Sequence, residues 1–148
     1  MDYVLGFSWK GLVVFLLAML PNVLYFLHPP SSGQGSKKKH LVLDIVEHGS
    51  QALFILLLVF LVSGRNAPVL SPYTIGMAIL LLLYYALWIF YFAGRKSRIA
   101  LYGMAAIPVA YFILAEFWLH ISVAAIPTVI FGFVHIMITS MDNPSHPG

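Results

Sequence analysis

Cysteine is missing altogether, which removes disulfides, thiolate metal ligands and cysteine nucleophiles from consideration. Charge is nearly as scarce: Asp, Glu, Lys and Arg make up 9% of the chain, against roughly a quarter in soluble domains. No glycine-rich phosphate loop, serine nucleophile elbow or paired-histidine zincin pattern occurs, so the commonest motif-bearing hydrolase and nucleotide-binding chemistries lose their signatures. The net charge of +3 comes from two loop clusters, Lys37–Lys39 and Arg95–Arg98. That pattern fits loop topology and anionic lipid headgroups and gives no basis for a nucleic-acid partner.

What is present is apolar. Hydrophobic residues make up 61% of 148 positions, and they arrive in blocks of about 20 rather than in alternating ten-residue segments, which selects helices over an outer-membrane barrel. The expected fold is an all-α integral membrane protein, a single domain folded as an up-down bundle of five transmembrane helices. The spans fall at about 9–28, 41–63, 72–93, 99–119 and 122–139. The first lacks a basic leader and a small-x-small cleavage site before Pro29, and is therefore read as a retained span. The last two come from an uncharged stretch, Ile99 to Thr139, interrupted only by Glu116 and long enough, at about 60 Å if helical, to cross twice. Residues 29–40, with SSGQGS ahead of three lysines, read as a flexible basic loop, and 140–148 as a disordered tail.

Finer patterns set further expectations. Gly11, Ala18, Asn22 and Tyr25 share a face of the first span, expected to be its buried one, and Pro108 and Pro127 are expected to interrupt the backbone ladder of the last two. Ser71-Pro72 reads as a cap and first position of the third helix. The hairpin between the last two spans is expected at Trp118–Ser122. The basic loops are the first and third connections, so the positive-inside rule places them in the cytoplasm, with the N-terminus outside and the C-terminus inside a cytoplasmic-type membrane. The second connection carries only Arg65, and Lys10, which argues for the reverse, is one charge against two clusters. No internal repeat is evident, and five spans do not divide into two inverted halves.

Function is expected where polarity interrupts the apolar runs. Asp44, Glu47, His48 and Gln51 lie on one helix face about 100° wide at the mouth of the second span, and ionisable groups in a span are costly unless they meet protein or trapped water. Asn22, Tyr84, Trp88 and His135 fall at the same depth. Together these eight residues suggest a ligand pocket in the cytoplasmic half, closed beyond by the apolar Phe54–Phe60 stretch. Carboxylates beside aromatic faces suit an organic cation. The leading expectation is a protein that binds, and by extension transports, a cationic or amphipathic small molecule or lipid without a cofactor. One alternative is a metal-dependent enzyme acting on a lipid or isoprenoid headgroup, with a divalent ion such as zinc on Asp44, His48 and His135 and Glu47 as general base. Another is a noncatalytic partner or regulatory subunit; a homo-oligomer is compatible with each. Glu116 and His120, spaced i, i+4, form a secondary site whose plainest role is a mutual hydrogen bond at the hairpin.

Overall fold

The computed structural model describes residues 2–28 and 40–143. The expected linker, the Lys37–Lys39 cluster and the tail from 144 onward lie outside the described residues. Five helices, α1 (Trp9–Leu27), α2 (Leu41–Phe60), α3 (Pro72–Phe92), α4 (Arg98–Trp118) and α5 (Ala125–Asp142), are joined by short connections, with one 3-10 turn at Ser122–Ala124. Five segments, the last including that turn, are long and apolar enough to cross a membrane. Helix α4 packs on α1, α3 and α5, and α5 lies between α2 and α4.

The second apolar run is helical only to Phe60. Leu61–Ser63 instead forms strand β2, paired antiparallel with β1 (Tyr3–Leu5) at the start of the chain. The reason is local: a helix leaves its last carbonyls without partners, and the N-terminal segment supplies donors. Gly6 N–H donates to the Phe60 carbonyl at 2.9 Å and Ser8 N–H to that of Val59 at 2.7 Å. Ser8 then caps α1 by accepting from Gly11 N–H at 3.0 Å.

The loop before α3 is held by its own carbonyls. His120 Nε2 donates to Asn66 at 3.1 Å, Lys10 Nζ to Ala67 at 2.6 Å and Trp118 Nε1 to Pro68 at 2.8 Å. Lys10, also over the rings of Trp9 and Trp118, is thus tied into this end of the bundle. Ser71 and Thr74 form a reciprocal capping box at the start of α3.

Two helix ends stop the same way. After α3, Gly94 at φ +83° lets Gly94 N–H reach the Tyr91 carbonyl and Arg95 N–H that of Phe90; after α4, His120 at φ +56° gives the equivalent pair to Phe117 and Glu116. Both are Schellman motifs, one with the glycine such a site prefers and one with a histidine held there by its bond to Asn66.

The stripe buried on α1 is Gly11, Val14, Ala18 and Pro21; Asn22 and Tyr25, expected in it, are more exposed and reach sideways to α3. Pro21, in the helix interior, leaves the Leu17 carbonyl without its ladder donor, and the Tyr85 hydroxyl donates to that carbonyl. Tyr111 adds a bond to the Val14 carbonyl at 2.9 Å. Pro127, by contrast, sits in the first turn of α5 and costs no ladder bond, so only Pro108 lies inside a helix as expected. Tyr85→Phe should therefore destabilise by about 1–3 kcal/mol, the cost of leaving a carbonyl within a membrane span without a donor. In a Pro21→Ala background, where Leu17 regains its donor, thermal unfolding in detergent should show that loss shrink; equal losses in both backgrounds would disprove the assignment.

Candidate functional site

Of Asp44, Glu47, His48 and Gln51 on α2, Glu47 meets α5, through an ion-pair geometry between its carboxylate and His135 Nδ1. Glu47 is largely buried, with 13% of its side chain accessible, and His135 is about one-third exposed. The polar pair thus lies at the edge of the bundle, where a ligand could reach it. Three local features hold it. Phe131 stacks on the His135 ring at 5.1 Å and 14°, Thr139 donates to the His135 carbonyl at 2.8 Å, and Ser50 Oγ bonds back to the Val46 carbonyl at 2.6 Å. Next along α2 the polar face ends in a packed aromatic floor, with Phe54 against Phe112 at 5.0 Å and against Phe131 at 5.4 Å.

The other members of the expected pocket divide. Asp44 and Gln51 are half-buried. His48 is exposed, and its Nδ1–H donates to the Asp44 backbone carbonyl at 2.7 Å. Asn22, Tyr84 and Trp88 form a separate group: Asn22 Nδ2 donates to the Tyr84 hydroxyl at 3.1 Å, and Trp88 meets the rings of Tyr25, Tyr84, Tyr91 and Phe92. Equal depth brought these residues into one expected layer. Helix packing splits them into an α1–α3 aromatic group and an α2–α5 charged one, because depth along an axis does not fix angle around the bundle.

The trio Asp44, His48 and His135 is not assembled. His48 is spent on a carbonyl of its own helix while His135 pairs with Glu47, and among the described residues no group of three His, Asp or Glu side chains comes together in a metal-holding cluster. The residues present do not fit the zinc site considered from the sequence.

Glu116 and His120 also part company. His120 turns out to the 64–70 loop, whereas Glu116 is fully buried and hydrogen-bonded to Thr128 Oγ1 on α5. Thr128 Oγ1 also lies 2.9 Å from the Ala124 carbonyl. A hydroxyl has one proton. If it goes to the Ala124 carbonyl, the bond to Thr128 must carry the carboxylic acid's own proton, so a neutral Glu116 satisfies both contacts. Glu116→Gln should then unfold within about 1 kcal/mol of the native protein, since an amide can donate in the same place; a much larger loss in thermal unfolding would mean that the carboxyl group does more than donate.

Helix α5 therefore carries Thr128, Gly132 and His135 on one face, bonded respectively to α4, packed on Val109 and paired with α2. A Cβ at Gly132 would lie 2.6 Å from Val109 Cγ1, so the missing side chain is what lets α5 approach α4 closely enough for the Thr128–Glu116 bond. No known family, no curated protein and no solved structure matches the chain.

Proposed function

We propose that this is an integral membrane protein that binds, and by exchange moves, a cationic or amphipathic small molecule, with Glu47 as the ligand's counter-charge and His135 as the group it displaces. The observation that supports this reading is the Glu47–His135 pair, placed between two helices at a partly open edge. A carboxylate in such a place is stable when one positive charge answers it. Protonated His135 supplies that charge when the ligand is absent, and an organic cation supplies it when bound. The two compete for one carboxylate, so cation entry and proton departure are linked. Phe131, stacked on the imidazole, offers the cation a ring face. Asp44 and His48 on α2 and Asp142 on α5 are the other ionisable groups on these two helices; each lies nearer the helix end than the pair does, or on the exposed side. With the Arg95–Arg98 loop on the cytoplasmic side, the site opens toward the cytoplasm and the N-terminus lies outside.

The test is equilibrium binding of a lipophilic cation such as tetraphenylphosphonium to the detergent-purified protein and to its Glu47→Gln variant. Retention of native affinity and pH dependence by the variant would refute the assignment.

One observation favours a second reading, a noncatalytic subunit. His48 is exposed on α2 with its Nδ1 committed, which leaves Nε2 for a group on another chain. That reading expects a co-purifying partner whose association is lost in His48→Ala while cation binding is absent throughout.

A further inference from the structure

Between α3 and α4, at the end where the Arg95 loop joins them, lies an open groove of about 520 Å³. Its walls are apolar: Leu83, Leu87 and Phe90 recur on α3 at i, i+4 and i+7, and Ala100, Gly103 and Ile107 face them from α4. A Cβ at Gly103 would come within 2.8 Å of Leu87 Cδ1, so its absence lets the two helices converge at the groove floor. The polar lining is confined to Arg95 and Ser97. A slot that is hydrocarbon along its length and cationic at its mouth matches an amphiphile with an anionic head.

We infer that this groove binds one anionic phospholipid, the phosphate on the Arg95 guanidinium and an acyl chain along the α3–α4 seam. The loop is built to hold Arg95 in place. Gly94 in the left-handed region and the Arg95 N–H bond to the Phe90 carbonyl at 3.0 Å fix its backbone over the end of α3. The neighbouring cations are engaged otherwise, Lys96 over the Tyr91 ring at 5.0 Å and Arg98 over the Tyr102 ring at 5.7 Å. Ser97 Oγ accepts from Ala100 N–H at 3.1 Å as the α4 cap, which keeps its own O–H proton for a phosphate oxygen. The guanidinium fork suits two phosphate oxygens at once. The site involves neither α2 nor α5 and holds whether or not Glu47 binds a cation.

Native mass spectrometry of the detergent-purified protein, titrated with dioleoyl phosphatidylglycerol or dioleoyl phosphatidylcholine, tests it. The native protein should take up one phosphatidylglycerol about tenfold more tightly than phosphatidylcholine, a charge-assisted preference. Arg95→Gln should abolish the preference, Lys96→Gln, whose ammonium lies over the Tyr91 ring, should largely keep it, and Ala100→Phe, which fills the slot, should lower affinity for both lipids. Thermal unfolding in lipid-free detergent establishes that each variant is folded. Equal losses in Arg95→Gln and Lys96→Gln would mean diffuse surface charge and overturn the site. So would undiminished phosphatidylglycerol binding by Ala100→Phe, uptake without saturation at one lipid, or a dimer peak that disappears in Ala100→Phe while lipid binding persists.

Discussion

Gly11→Val should unfold the bundle or lower its stability by about 3 kcal/mol or more, beyond the usual cost of overpacking because the obstacle is backbone. Gly11 is buried where α1 crosses the last turn of α2, and a Cβ there would collide with the Leu58 carbonyl oxygen and carbon, with Ser8 Oγ 3.2 Å away. A flexible side chain could yield; a helix carbonyl flanked by the fully buried Leu58 side chain cannot. Relief requires α1 to move off α2, and that movement breaks the bonds from Gly6 and Ser8 to Phe60 and Val59 and unpairs β1 from β2. Gly49, on the exposed side of α2 with nothing within 4 Å of an added Cβ, is the matched control. Gly49→Val should cost less than about 1 kcal/mol, since valine is a better helix residue than glycine. Thermal unfolding of the two variants in one detergent checks the contrast, and similar losses would show that α1 does not rest on Gly11.

Glu47→Gln should weaken lipophilic-cation binding by about thirtyfold or more, corresponding to the roughly 2–5 kcal/mol lost when one partner of a desolvated charge pair is truncated. The amide keeps the shape and a hydrogen-bonding oxygen toward His135, so folding should survive; what disappears is the negative charge. His135→Gln should act on the pH dependence instead. With the competing imidazole gone, cation affinity should no longer rise as the medium becomes less acid. Native affinity should rise as the medium becomes less acid, because the imidazolium and the cation compete for the same carboxylate. Parallel pH profiles for the native protein and His135→Gln would show that His135 is a bystander.

Most of the architecture is legible in the residues themselves. Five runs of about 20 apolar residues, serine caps at Ser71 and proline at position 72, and the polar break after Trp118 are each short-range signals, and short-range signals suffice for helices. What escaped are features made by one segment answering another. Leu61–Ser63 continues an apolar run without a break, and only the N-terminal strand laid beside it ends the helix at Phe60. Pro21 sits within an otherwise ordinary span, and its tolerance depends on Tyr85, far along the chain. The site shows the same division. Glu47 and His135 stand out in sequence as ionisable residues in greasy helices, yet nothing local pairs them, and the same depth argument also gathered Asn22, Tyr84 and Trp88, which belong to another helix pair. The i, i+4 spacing of Glu116 and His120 suggests a mutual bond; burial against Thr128 prevails, because a side chain turned into the core cannot share a partner with one that closes a surface loop.

Gly132 sets how closely α5 meets α4, and Thr128 and His135 stand with it on one helix face. The central claim is the competition itself, and the heat of tetraphenylphosphonium binding measured by titration calorimetry in buffers of different ionisation enthalpy reports it directly. Around neutral pH the native protein should release protons as the cation binds, because the displaced imidazole loses the carboxylate that held its charge, and His135→Gln should release none. Cation binding by the native protein with no proton release, or with the same release in His135→Gln, would contradict the account.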